Sequence, residues 1–136
     1  MTRKLLVLSV VLLLSACQSP FLIFPGEALE GQLTYTDSFA FADRYKLLQL
    51  EVGNPAYSVF LRTTLIDGEL YVDAAPSRQW AKLLRVSPQV KIKLGDALFA
   101  ATAIVVTDPS IVGQFLSNRT IYLMQPTTRA STDVTH

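Results

Sequence analysis

Cysteine, histidine and tryptophan each occur once in this chain of 136 residues, and each scarcity removes a class of chemistry. A single cysteine, Cys17, leaves neither an intramolecular disulfide nor a dithiol redox pair. The one histidine is His136, the last residue, so a histidine-dependent nucleophilic triad and a typical zinc site are both excluded. No H-E-x-x-H, G-x-S-x-G, Walker loop or G-x-G-x-x-G segment occurs. Charge is sparse as well: 12 Lys and Arg stand against 11 Asp and Glu, with no basic stripe. No nucleic-acid partner is expected from such a balance. Long apolar runs are also lacking. Leu5 to Leu14 is about ten residues, half of what a spanning helix needs.

What the chain does have begins at its N-terminus. Arg3 and Lys4 precede the apolar run, and the small-residue sequence Leu14-Ser15-Ala16-Cys17 follows it. A positive region, an apolar region and a small-residue cleavage site make a secretory signal over residues 1–16. The Leu-Ser-Ala-Cys ending resembles the bacterial lipobox. That resemblance implies acylation of Cys17, which would hold the mature chain to membrane lipid through several acyl chains at ~0.8 kcal/mol per buried methylene. Gln18 in place of an aspartate implies, by the same resemblance, the outer membrane, with the protein facing the periplasm.

Residues 17–28 then read as the lipidated cysteine and a tether, broken by Pro20, Pro25 and Gly26. Ten extended residues reach at most ~35 Å. Phe21-Leu22-Ile23-Phe24 is apolar for a linker. It either packs on the domain as an edge segment, the favoured reading, or sits at the lipid headgroups. Loss of Arg3 and Lys4 leaves ten basic residues against eleven acidic ones in the mature chain. Its length suits one small domain stabilised by a packed core. That domain is expected at 29–125, followed by a polar, Thr-rich tail at 126–136 expected to be disordered.

Within the domain the apolar period is mostly two. Gln32–Thr36, Tyr45–Val52, Tyr57–Ile66, Glu69–Ala74, Val90–Leu94, Leu98–Val106 and Thr120–Met124 read as strands. Asp67-Gly68 between two of them predicts a tight primed turn, and Gly95-Asp96 a second turn. One helix is predicted from Pro76 to Val86, with Ser77 as N-cap and Trp80, Leu83 and Leu84 on one face. Asp108-Pro109 opens a short helical turn over Ser110–Leu116. The expected fold is mainly β: a small antiparallel split β-barrel of about six strands with one or two short helices.

Between Ser58 and Asp108 the order of features becomes specific. A strand, the Asp67-Gly68 turn and Glu69-Leu-Tyr-Val72 lead into a helix carrying Trp80 and Leu83-Leu84-Arg85. Ser87-Pro88, Gln89-Val-Lys-Ile-Lys-Leu-Gly95 and Ala100-Ala-Thr-Ala-Ile-Val-Val106 follow. This order resembles the split β-barrel superfamily of flavin and deazaflavin proteins, the pyridoxamine-phosphate-oxidase-like and deazaflavin-dependent nitroreductase-like group. The resemblance covers about half of the mature chain. It implies FMN or deazaflavin as cofactor and a homodimer with the cofactor at the subunit interface. The chain departs from the group before the hairpin, where a Gly- and basic-rich stretch is replaced by a segment whose only cation is Arg62.

Arg78, Lys82 and Arg85 are spaced i, i+4 and i+7, which on one helix face would make an anion clamp, with Arg62 nearby across the barrel. The bland alternative is a solvated helix face. Trp80 with Tyr57, Phe60 and Tyr71 could stack on a flavin-like ring or simply form core. No catalytic residue or metal ligand is assigned. The leading expectation is a non-catalytic, outer-membrane-anchored lipoprotein with a binding or envelope-assembly role and an envelope protein partner. The alternative is a membrane-tethered flavin- or deazaflavin-dependent oxidoreductase, in which the cofactor carries the hydride chemistry.

Overall fold

Pairing registers, rather than helices, organise this chain. The computed structural model describes residues 28–128. The signal segment, Cys17, the Phe21–Phe24 run and the tail beyond 128 lie outside the described residues. Strands β1 (Leu33–Thr34), β2 (Leu47–Val52), β3 (Tyr57–Arg62) and β4 (Thr64–Ile66) come first. They are followed by β5 (Glu69–Ala74), β6 (Gln89–Leu94), β7 (Ala97–Val105) and β8 (Thr120–Pro126). Helix α1 (Gln79–Val86) joins β5 to β6, α2 (Pro109–Val112) lies between β7 and β8, and a 3-10 turn spans Ala40–Arg44.

The sheet runs β3-β2-β6-β7-β8-β5-β4, every neighbouring pair antiparallel, with β1 added in parallel to β7. This is the split β-barrel expected, with seven strands on the main path and a two-residue eighth where about six were expected. The extra strand count comes largely from one break. Tyr57–Ile66, continuous in sequence pattern, divides at Thr63 into β3, which pairs with β2, and β4, which pairs with β5. The two ends of the sheet are therefore adjacent in the chain and joined by the corner at Thr63, without pairing to each other. Thr63 N–H donates to Lys46 O at 3.0 Å and anchors that corner.

Alternation decides which residues form the core. Leu48, Leu50 and Val52 of β2, Val90, Ile92 and Leu94 of β6, and Phe99, Ala101 and Ala103 of β7 point inward. Leu70, Val72 and Ala74 of β5 and Tyr122 and Met124 of β8 complete the lining. Trp80, Ala81 and Leu84 of α1 plug the barrel from one side, while Lys82 and Arg85 are exposed. Phe39, from the approach to the 3-10 turn, meets Phe99 edge-on at 5.7 Å.

Both predicted two-residue turns are present, since the φ angles they need are available to the residues there. Asp67 (φ 52) and Gly68 (φ 78) are both left-handed, as a type I′ turn requires. Gly95 (φ 60) turns β6 into β7. Helix α1 starts later than Pro76. Arg78, in extended backbone (φ −75, ψ 140), is its N-cap and makes no side-chain capping bond, so Ser77 is not the cap. The second helix is also shorter than predicted, ending at Val112. It begins as expected: Asp108 Oδ1 accepts from Ser110 N at 3.0 Å and from Ser110 Oγ at 2.9 Å. Strand β8 runs through Pro126, and Thr127 N donates to Ala100 O, so sheet pairing continues into residues read from sequence as tail.

Candidate functional site: a cleft between a strand edge and a helix start

Strand β3 ends the sheet, so among the described residues one of its edges has no strand partner. The start of α1 stands across from that edge. Between them lies a cleft of about 590 Å³, within the usual range for small-molecule sites. Its walls come from three parts of the chain. β3 contributes Tyr57 through Leu61, the β5–α1 segment contributes Asp73 and Ser77 to Trp80, and Arg119 reaches in from the start of β8.

Each contribution has a local cause. Helix α1 begins only at Gln79, because Pro76 and the extended Arg78 precede it. Arg78 therefore sits on the cleft rim rather than on a helix face. Trp80, in the first turn, is only 7 % exposed and spans core and cleft. Asn118 adopts φ 65 in the turn before β8 and delivers Arg119 beside β5. There Arg119 Nε lies 3.9 Å from Asp73 Oδ2, a partly exposed ion pair of small energetic weight.

The structure divides the predicted clamp. Of Arg62, Arg78, Lys82 and Arg85, only Arg78 lines the cleft. Lys82 and Arg85 are exposed along α1, and Arg85 lies near enough to Tyr122 for its charge to oppose the upward shift of that phenol. Arg62 ends β3 opposite Leu47, away from the cleft lining. The i, i+4, i+7 argument fails at its first member, because Arg78 is not helical. Of the predicted aromatic group, Tyr57, Phe60 and Trp80 all line the cleft, Phe60 from the outward side of β3. Tyr71 packs elsewhere, its ring 6.5 Å from that of Phe115.

Arg119, Asp73 and Gln79 were not singled out as site residues from sequence, and Ser77 was read only as a helix cap. Only the β5–β8 register, with Ala74 opposite Thr120, brings Arg119 to Asp73. A second hollow of about 550 Å³ is lined by Gln32 to Asp37 alone and brings no distant residues together. Among the described residues, no group of three or more His, Cys, Asp or Glu could hold a metal ion. No helix among them is long and apolar enough to cross a membrane.

The fold is a split β-barrel, with the cleft at the free edge of its β3 strand. No protein-family model and no curated protein sequence matches the chain. Solved structures do. A candidate pyridoxamine 5′-phosphate oxidase from Listeria innocua is similar with TM-score 0.54 and 16% identity, over 64% of this chain and 88% of that one. One from Lactobacillus delbrueckii gives TM-score 0.52 at 13% identity, over 68% and 93%. General Stress Protein 26 of Bacillus anthracis gives 0.51 at 16% identity, over 60% and 80%. At these identities the likeness is one of fold.

Proposed function

We propose that the protein is a lipoprotein of the bacterial outer membrane, anchored by acylated Cys17, whose split barrel binds an anionic aromatic ligand without transforming it. The observation that carries the binding reading is the meeting of Arg78 with Trp80 and Tyr57 in one cleft. A guanidinium donates two parallel bonds to a phosphate or carboxylate, and the rings offer stacking faces. Among the described residues, Asp73 is the only carboxylate lining the cleft, and it lies beside Arg119, which favours binding over proton transfer. The anchor rests on Leu14-Ser15-Ala16-Cys17. An envelope protein partner, or a second copy of the chain, completes this reading.

A flavin- or deazaflavin-dependent oxidoreductase is the second reading, favoured by the likeness to candidate pyridoxamine 5′-phosphate oxidases. The residues present fit such a group: Arg78 and Ser77 would hold its phosphate, and Trp80 and Tyr57 its ring. The bound group would supply the hydride chemistry.

One experiment tests both readings. The acylated protein is purified from its native host and its visible spectrum recorded before and after gel filtration. A flavin-like band between roughly 370 and 450 nm that persists, with turnover of a reductant, selects the oxidoreductase. Binding of added FMN or deazaflavin without turnover supports the binding module, and failure to bind either removes the flavin class. For the anchor, Cys17→Ala should abolish acylation and stall processing. A lipidated, membrane-bound variant would defeat it.

A further inference from the structure

We propose that the open end of the outer β2–β3 face, where Leu47, Phe60 and Arg62 are exposed beside the buried Gln49 and Ser58, docks on an anionic phospholipid bilayer. The inference rests on acylation of Cys17 and adds to it an orientation of the barrel.

Register defines the face. Leu47, Gln49 and Glu51 of β2 stand opposite Arg62, Phe60 and Ser58 of β3. Gln49 and Glu51 also stand opposite Lys93 and Lys91 of β6. Directly opposed residues share a side of the sheet, and the alternate residues Leu48, Leu50, Val52 and Ile92 are those that fill the core. Among the described residues, the outer side of these strands therefore carries three cations, Arg62, Lys91 and Lys93, against the carboxylate of Glu51, with the exposed Glu30 lying beside Lys93.

Two large apolar side chains also lie on it, Leu47 at 56% and Phe60 at 51% exposure. Because Leu47 opposes Arg62, it is a diagonal neighbour of Phe60, on the order of 7–8 Å away. Apolar anchors ringed by Lys and Arg are the chemistry of a surface that meets lipid headgroups and the first acyl carbons.

The chain leading to Cys17 departs from this same face. Leu29 N donates to Glu51 Oε1 at 2.7 Å, and Lys93 Nζ donates to Glu30 O at 3.2 Å. Glu51 is further engaged by Lys91 at 3.8 Å. Glu51 and Lys91 thus partly neutralise each other, which leaves Arg62 as the cation beside Leu47 and Phe60. Residues 17–27 can span at most roughly 40 Å. An anchor that short raises the effective concentration of lipid at the face, so a modest patch suffices to hold it down.

The test uses the acylated full chain in vesicles. Acylation consumes the thiol of Cys17, so Phe60→Cys provides one site for an environment-sensitive fluorophore. Leu116→Cys, at a position 70% exposed between α2 and β8, is the control. In vesicles containing phosphatidylglycerol and spin-labelled lipid, quenching at 60 should be several-fold stronger than at 116. Arg62→Glu should reduce it. Equal quenching at the two sites, with the protein still floating with the vesicles, overturns the docking and leaves the anchor standing. A native chain that fails to float with vesicles overturns acylation, and this inference with it. A label at 60 shielded from aqueous iodide equally with and without vesicles also overturns it, since Phe21–Phe24 or a second copy would then cover the face.

Discussion

Gly95 lies directly against the ring of Tyr45: a Cβ placed on Gly95 would stand 2.8 Å from Tyr45 Cε1 and 3.1 Å from its hydroxyl oxygen. The same glycine holds φ +60 in the turn that joins β6 to β7. Both a close approach and a left-handed backbone therefore require glycine here.

Gly95→Ala should accordingly destabilise the fold by about 1–3 kcal/mol, measured by urea denaturation. Combining it with Tyr45→Ala should remove the contact part of that loss but not the backbone part. A double-mutant cycle should therefore show coupling. Strict additivity would mean that the ring moves aside without cost.

The corner between β3 and β4 has a different weakness. Thr63 Oγ1 is buried and has no hydrogen-bond partner. Thr63→Val replaces the hydroxyl by a methyl of similar size and leaves the Thr63 N–H bond to Lys46 O intact. Stability should hold or rise, by up to about 2 kcal/mol, because an unsatisfied buried hydroxyl is lost. A clear fall in the denaturation midpoint would show that the hydroxyl is satisfied in solution.

Two buried tyrosines bear on stability at alkaline pH. Burial raises the Tyr71 phenol above its ordinary value, and the carboxylates of Glu69, Asp67 and Asp108 push it the same way. Burial also raises Tyr122, while the positive charge of Arg85 opposes the shift. A phenol whose folded pKa lies above its unfolded one keeps its full stabilising effect below about pH 10 and loses it as pH climbs through the folded value. Stability should therefore decline above about pH 10, and Tyr71→Phe with Tyr122→Phe should flatten the decline. Arg85→Ala should move the tyrosinate absorbance step of Tyr122 to still higher pH.

Ligand binding should separate the four cations. Arg78→Ala should weaken binding of FMN, read by quenching of Trp80 fluorescence, by roughly tenfold or more if a charge-assisted bond is lost. Lys82→Ala and Arg85→Ala should leave it unchanged, as should Arg62→Ala, because none of the three lines the cleft. Equal losses from Arg78 and Arg85 would return the helix-face clamp to consideration.

Much of the barrel was legible locally. Asp67-Gly68 and Gly95-Asp96 were readable because a tight turn depends on residues that tolerate positive φ. Val90–Leu94 was readable because one buried face imposes strict alternation. The break at Thr63 was not readable. Val59-Phe-Leu-Arg-Thr-Thr-Leu-Ile66 has strand propensity throughout, and only pairing with two different partners divides it. The candidate site was half legible. Trp80 and Arg78 are neighbours in sequence, whereas Asp73 and Arg119 lie far apart in the chain and meet through the β5–β8 register.

The sequence by itself determined the features that depend on a few adjacent residues: the turns, the alternation of the strands, the amphipathic helix and the expectation of an acylated Cys17. Tertiary structure alone decided which strands pair, that Arg78 leaves the helix face for the cleft rim, and that Leu47, Phe60 and three cations share one outer surface. The physical reason is the range of the forces involved. Turn and helix preferences act within a few residues, while strand pairing and core burial are settled between segments brought together only when the barrel closes.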